Sequence, residues 1–358
     1  MNRLIYILLI LTLIISCEEI YRPDIDEMED LLVVEAILIS NQSHNSIYLY
    51  KTHGFNEDSA YTSVGGAYVY LSDDTGQKIF CKEDANGVYH LMQTLDHDRQ
   101  YKLHIELDGE IYISDIQDVP DTPLLDTVYG EFDYKVSING TANSSDKIEG
   151  DHGFQLYSDI KYKGGTNFYR YSGRKVLQYN DHLILDGIPP LVIPIYIWKS
   201  MFPTGGFNIS GPPDYSTSKD LFKHPLEFFP QNYNKYFVDT MSFAGWIYII
   251  DQYRLNEDTY NYYKKINQQL FNEGKIFDPV YIQLEGNITC KTNPHQIVLG
   301  NFEISSHTES RYFLNYSKKD EDLSIKRIPY FYYIPFAGYV TKTAPAFWES
   351  INKQYPNN

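Results

Sequence analysis

The sequence predicts a mainly β protein. An immunoglobulin-like or transthyretin-like sandwich is expected over residues 31–120, and a larger β-rich domain over 121–358 with one packed helix and a long proline- and aromatic-rich insertion at about 189–230. Three observations predict this. Short strand-like runs recur at roughly ten-residue spacing between turn residues. Apolar and polar residues alternate within them, as where Leu103, Ile105 and Leu107 face one way and Lys102, His104 and Glu106 the other. Finally, 34 tyrosines and 19 phenylalanines in 358 residues favour strands and amphipathic surfaces.

The chain opens with a segment outside the fold. Residues 1–16, MNRLIYILLILTLIIS, place one basic residue, Arg3, ahead of an apolar stretch of signal-peptide length. Ile14-Ile15-Ser16-Cys17 then has the form of a bacterial lipobox, which predicts cleavage after Ser16 and acylation of Cys17 as a membrane anchor. Residues 17–30 follow as an acidic tether, with Glu18, Glu19, Asp24, Asp26, Glu27, Glu29 and Asp30. Its DIDEMED run lacks the glycine and the closing glutamate of a calcium-binding EF-hand loop. After residue 16 no apolar run approaches the roughly 20 residues that cross a bilayer. The acidic residues directly after Cys17 resemble the signal by which Bacteroidota send lipoproteins to the outside of the outer membrane, and the resemblance implies a location there, tethered by lipid and facing the exterior.

Within 31–120 the runs LLVVEAIL, SIYLYKT, GAYVYLSD, QKIFCKE, GVYHLMQ, YKLHIEL and EIYISDI read as strands. Asp73-Asp74-Thr75-Gly76, Asn86-Gly87 and Asp108-Gly109 supply the turns, and DVPDTP (118–123) marks the boundary. Beyond it, DTVYGEFDY, GFQLYSDIKY, NFYRYSGRKVLQY, WIYIIDQYRL, VYIQLEGNIT and QIVLGNFEIS read as further strands. Residues 189–230, with many of the prolines, read as a long structured insertion or loop. A helix is expected at about 257–273, capped by Asn256, with Gly274 past its end and an apolar face of Tyr260, Tyr263, Ile266, Leu270 and Phe271.

Charge and motifs exclude more than they select. A formal net charge of −17 argues against binding a nucleic-acid backbone. The sequence has no G-x-S-x-G, H-E-x-x-H, Walker or dinucleotide motif and no C-x-x-C pair, so no catalytic residue, metal site or cofactor is expected. Asp74-Thr75-Gly76 is a single aspartic-protease-like tripeptide where such a site needs two, and fits a hairpin better. Asp96-His97-Asp98 reads as a solvated turn, as do Asp181-His182 and the isolated His295 and His307. Cys81 and Cys290 are expected as buried free thiols. Residues 189–230 and 330–339 carry aromatics on consecutive positions, so Trp198, Phe202, Phe207, Tyr330, Phe331 and Tyr332 are the candidate contacts for a partner or ligand.

A set of short motifs in fixed order is more specific than any one of them. These are Val33-Val34-Glu35-Ala36, Gly66-Ala67-Tyr68-Val69, Gly87-Val88-Tyr89, Tyr101-Lys102-Leu103-His104-Ile105 and Val119-Pro120 with Leu125-Asp126-Thr127-Val128. Phe277-Asp278-Pro279, Gly286-Asn287-Ile288, Asn293-Pro294, Val298-Leu299-Gly300-Asn301-Phe302 and Pro345-Ala346-Phe347-Trp348 complete it. Together they resemble the Bacteroidota outer-membrane lipoprotein family catalogued as domain of unknown function 4249. The resemblance implies a surface lipoprotein that assists a TonB-dependent outer-membrane β-barrel receptor in ligand capture or gating, without enzymatic activity. The alternative is a structural subunit of an outer-membrane assembly or secretion complex. A surface hydrolase is the weakest reading.

Overall fold

The computed structural model describes residues 31–52, 61–84, 87–124, 126–139, 147–203, 205–212, 219–230, 242–271, 284, 286–314 and 339–341. The leader, the tether with Cys17, the Phe277-Asp278-Pro279 and Pro345-Ala346-Phe347-Trp348 motifs, and Tyr330, Phe331 and Tyr332 lie outside them.

The first strands are β1 (Leu32–Ile39), β2 (Asn45–Thr52), β3 (Tyr61–Ser63), β4 (Tyr68–Asp73), β5 (Lys78–Phe80), β6 (Lys82–Glu83), β7 (Val88–Leu91), β8 (Gln100–Leu107), β9 (Glu110–Ser114) and β10 (Gln117–Asp118). Turn chemistry sets the hairpins. Asp73 Oδ1 accepts from the Thr75 and Gln77 amides at 2.9 and 2.8 Å, and Gly76 takes φ +86°. Asp108 and Gly109 both adopt positive φ, 50° and 85°, the requirement of a tight turn between β8 and β9. QKIFCKE is split at Cys81, whose amide donates to Val69 O at 2.9 Å; β5 pairs with β4 and β6 with β7, so this run passes from one sheet to the other.

The later elements are β11 (Thr127–Asn139), β12 (Lys147–Ile160), β13 (Phe168–Leu185), β14 (Leu191–Met201), β15 (Asn208–Ser210), β16 (Leu221–Pro230), β17 (Ser242–Leu255), helix α1 (Glu257–Leu270), β18 (Ile288–Cys290), β19 (Val298–Leu314) and β20 (Tyr339–Thr341). Among the described residues they form an 11-stranded sheet ordered β20-β14-β13-β17-β19-β1-β2-β7-β6, with β15 on β13 and β3 on β2. A six-stranded sheet is ordered β18-β9-β8-β4-β5, with β10 on β8, and a three-stranded sheet is ordered β11-β12-β16.

Residues 31–120 do not complete the expected sandwich by themselves. β1 lies parallel to the first half of β19, from Leu32 opposite Val298 to Ile39 opposite Ser305, and β18 adds to β9. Ile288, Cys290, Val298, Phe302 and Ile304 therefore sit in the same core as Val34, Leu38, Leu71, Tyr89, Leu103 and Ile105. The second half of β19 pairs antiparallel with β17, so one strand belongs to both halves of the molecule.

A second core lies between the three-stranded sheet and the β13–β17 part of the large sheet, built from Leu156, Ile160, Tyr169, Tyr171, Leu221, Leu226, Phe229, Tyr248 and Ile250. Here the glycine and aromatic richness has a common cause. A Cβ on Gly130, Gly150, Gly153 or Gly173 would collide with the ring of Phe154, Tyr134, Phe228 or Tyr248 respectively. Each ring comes from a diagonal position on the neighbouring strand and covers a bare stretch of backbone.

Within 189–230 the described residues hold three sheet strands, β14, β15 and β16, in place of the expected long insertion or loop. β14 extends the large sheet beside β13, and β16 closes the three-stranded sheet beside β12. The prolines are tolerated by position. Among the described residues Pro194 lies where β14 is an edge, with β20 paired at Trp198–Ser200, and Pro225 lies beside a register shift on β16, an edge strand of its sheet.

Helix α1 follows β17 directly. Glu257 and Asp258 occupy its first turn, favourable at the positive end. Asn256 makes no side-chain cap: its Nδ2 instead donates to Gln117 Oε1 at 3.0 Å and Asp118 O at 2.9 Å, tying the helix to β10. Of the expected apolar face Tyr263 is buried, while Leu270 and Phe271 are exposed.

Candidate binding face

The outer face of the large sheet carries the side chains that alternate with the core. In β2, Ile47 and Leu49 point inward and Ser46, Tyr48 and Tyr50 outward; in β1, Glu35, Ile37 and Ile39 point outward. Of these outward residues Glu35, Ile37, Ile39, Ser46 and Tyr48 line, with Gln42, His44 and Asn45, a concavity of about 220 Å³, and Tyr50 lies beside it. The hairpin beside it is fixed by the buried Asn45, whose Oδ1 accepts from Ile39 N at 2.7 Å and whose Nδ2 donates to Ile39 O at 3.1 Å. Tyr48 and Tyr50 rings lie parallel within 4°, centroids 6.2 Å apart, and Tyr61 meets Tyr50 edge-on at 4.8 Å. Burial and the Glu35 carboxylate raise the Tyr50 pKa.

Ser46, His90 and Asp84 form a relay at the rim. Ser46 Oγ is 3.1 Å from His90 Nδ1, and His90 Nε2 is 3.3 Å from Asp84 Oδ2. The His44 ring packs on His90 with centroids 4.9 Å apart. The residue types match a nucleophilic triad, but the setting differs. Ser46 sits opposite His90 on a strand laddered to β1 and β7, where backbone amides serve the sheet, and acyl transfer also needs donors converging on a developing oxyanion. The relay orients the Ser46 hydroxyl.

The same outer face continues beneath the helix. Ile37 stands opposite Glu303 in the register. Glu303 is buried, accepts from Tyr263 Oη at 2.5 Å and pairs with Arg170 at 3.3 Å. The Arg170 guanidinium also lies 4.1 Å from the Tyr253 ring centroid. Burial alone would lower the Arg170 pKa, and the Glu303 carboxylate with Tyr263 and Tyr253 more than offsets it, leaving it raised. Burial, then Glu303, hold the Tyr263 pKa well above its ordinary value. The Tyr263–Glu303 hydrogen bond and the Arg170–Glu303 ion pair together fasten α1 to β19 and β13.

The residues singled out from sequence are dispersed. Trp198 is 7% exposed and packs with Val176, Ile247 and Ile249, so its ring is core rather than contact surface: at this β14 position the side chain turns into the sheet's apolar face. Phe202 is exposed, and Phe207 lies against Tyr263 with centroids 4.5 Å apart, at the far side of the helix. Asp74 lies in the β4–β5 hairpin beside Arg99, at 3.5 Å. His97 pairs with Asp121, which also meets Arg254 at 3.4 Å, so this turn clamps the linker to β17. His307 bonds Asp251 at 2.7 Å. Cys81 and Cys290 are free, and burial pushes the Cys81 thiol up to about 12. Among the described residues no group of three or more His, Cys, Asp or Glu is placed to hold a metal ion, and no helix is long and apolar enough to cross a membrane.

Glu35, His44, Ser46, Tyr48, Asp84 and His90 were not singled out from sequence. Their signal is faint but present: Ser46, Tyr48 and Tyr50 alternate with Ile47 and Leu49, which makes a polar and aromatic outer row.

Fold and face define a mainly β protein of two joined sandwich layers, with an open concavity on one sheet lined by Ile37, Ile39, Tyr48 and polar side chains. More particularly, the family model described as a domain of unknown function, DUF4249, matches residues 18–311, and the chain belongs to that family. No curated protein and no solved structure matches it.

Proposed function

We propose that this chain is a lipid-anchored, surface-exposed module of the outer membrane that assists a TonB-dependent β-barrel receptor in ligand capture or gating, and that it works by binding rather than catalysis. The observation that carries the reading is the concavity on β1 and β2, whose polar and aromatic lining is suited to recognition. The lipobox-like Ile14-Ile15-Ser16-Cys17 and the acidic tether support the tethered location. The Ser46–His90–Asp84 relay, set in mid-sheet, supports a non-catalytic role.

The test is an affinity pull-down of C-terminally tagged protein from native outer membranes in mild detergent, beside a Cys17→Ala control. One stoichiometric TonB-dependent receptor, lost with the control, is the expected result. Assembly or secretion factors in its place would favour a structural subunit, and recovery of the lipoprotein alone would refute the partnership.

A further inference from the structure

Resting on the binding-module reading, we propose that the outer face of β1 and β2 binds a neutral oligosaccharide, one sugar ring seated against Ile37, Ile39 and Tyr48 and its neighbours running over Tyr50 and Tyr61. A pyranose presents a face of C–H groups and a rim of hydroxyls, so its complement is an apolar and aromatic patch edged by hydrogen-bonding side chains. That is the arrangement here. Ile37, Ile39 and Tyr48 are half-buried and form the patch, while Glu35, Gln42, His44 and Ser46 form the edge.

Size and charge narrow the class. The volume of about 220 Å³ is below the roughly 300 Å³ at which drug-sized pockets begin, and suits a single ring. Among the described residues no lysine or arginine lines the concavity, and the chain carries a formal charge of −17, so phosphate, sulfate and uronic acid groups find no counter-ion among those residues. The ligand continues beyond one ring because the tyrosine row does: Tyr48 and Tyr50 are parallel, and Tyr61, an exposed side chain, extends the row onto β3. Tyrosine offers this contact with only two side-chain torsions to fix. The relay contributes too. With the Ser46 hydroxyl proton donated to His90 Nδ1, its lone pairs are left to accept from a sugar hydroxyl.

The experiment titrates the full-length chain in detergent micelles with maltohexaose, cellohexaose, mannohexaose and xylohexaose, read by calorimetry and saturation-transfer NMR. Hexagalacturonate and hexalysine serve as charged probes. The expected result is binding of at least one neutral hexamer, weakened about tenfold by Tyr48→Ala and only about twofold by Tyr48→Phe. Glu35→Gln, at an exposed carboxylate that the fold does not need, weakens it several-fold, and Phe271→Ala at the helix end leaves it unchanged. Three results overturn the proposal: no neutral hexamer binds, a charged probe binds more tightly through Tyr48, or binding ignores both Tyr48→Ala and Glu35→Gln. Saccharide binding without a co-purified receptor refutes the receptor partnership alone, and a captured receptor without saccharide binding refutes this inference alone.

Discussion

Asn287 should be worth more to stability than its half-buried position suggests. Between Val298 and Ser305, β19 has β1 on one side, while β17 joins its other side only from Ser306 onward. Phe302, fully buried, would therefore have an amide and a carbonyl facing no strand among the described residues. The Asn287 carboxamide takes both: its Oδ1 accepts from Phe302 N and its Nδ2 donates to Phe302 O, each at 2.8 Å. The side chain stands in for one peptide unit of a missing strand. Asn287→Ala removes two hydrogen bonds at about 1 kcal/mol each and orphans two buried groups, a total loss of about 3–4 kcal/mol. Urea unfolding followed by circular dichroism measures it. Asn287→Asp discriminates further, because a carboxylate can accept from Phe302 N but repels Phe302 O. The introduced carboxyl is favoured protonated in the folded state, so its folded pKa lies above the unfolded value of about 3.9. Its deficit relative to the parent should be small below that pH and grow as pH rises through the folded pKa. A loss under about 1 kcal/mol for Asn287→Ala, or a pH-independent deficit for Asn287→Asp, would refute the argument.

Three further outcomes are expected. Glu303→Gln leaves Arg170 buried without its counter-charge and should cost about 3–5 kcal/mol, much of it recovered in an Arg170→Met/Glu303→Leu double variant, as judged by thermal melts. His224, stacked on Tyr171 with centroids 5.0 Å apart, is pushed down to about 4 by burial. The unfolded chain binds more protons between about pH 4 and 6.5, so this contribution is complete above pH 6.5, is lost as pH falls toward 4, and amounts to about 2 kcal/mol for a ring that keeps some solvent contact; His224→Gln should flatten that slope. Gly300, at φ +91°, would carry a Cβ into the Val34 carbonyl on β1, so Gly300→Ala should abolish cooperative unfolding, seen as loss of the calorimetric transition.

The strands of the first layer were legible because a half-buried antiparallel strand writes its faces into alternate residues, as in β8. The Asp73–Gly76 and Asp108-Gly109 turns were legible because positive φ restricts residue choice. The pairing of β1 with β19 was not, since parallel contact between distant segments leaves no local signal. β14 and β16 were hidden by their prolines, which break central strands but not edges or bulges. The face itself was the least legible: Glu35, Ser46, Tyr48 and His90 become neighbours only through register, whereas the aromatic clusters that drew attention in sequence include Trp198, which the sheet buries.

β19 also dictates the order in which the molecule can be built. A chain made from its N-terminus delivers β1, β2 and β8 early, but the core they face stays open until Val298–Ser305 arrives to lie beside β1. Until then Val34, Ala36 and Leu38 belong to an exposed edge, the kind of surface on which other strands assemble. Most of the polypeptide must therefore be made before the first core can close, and a truncation before β19 would forfeit both layers rather than one.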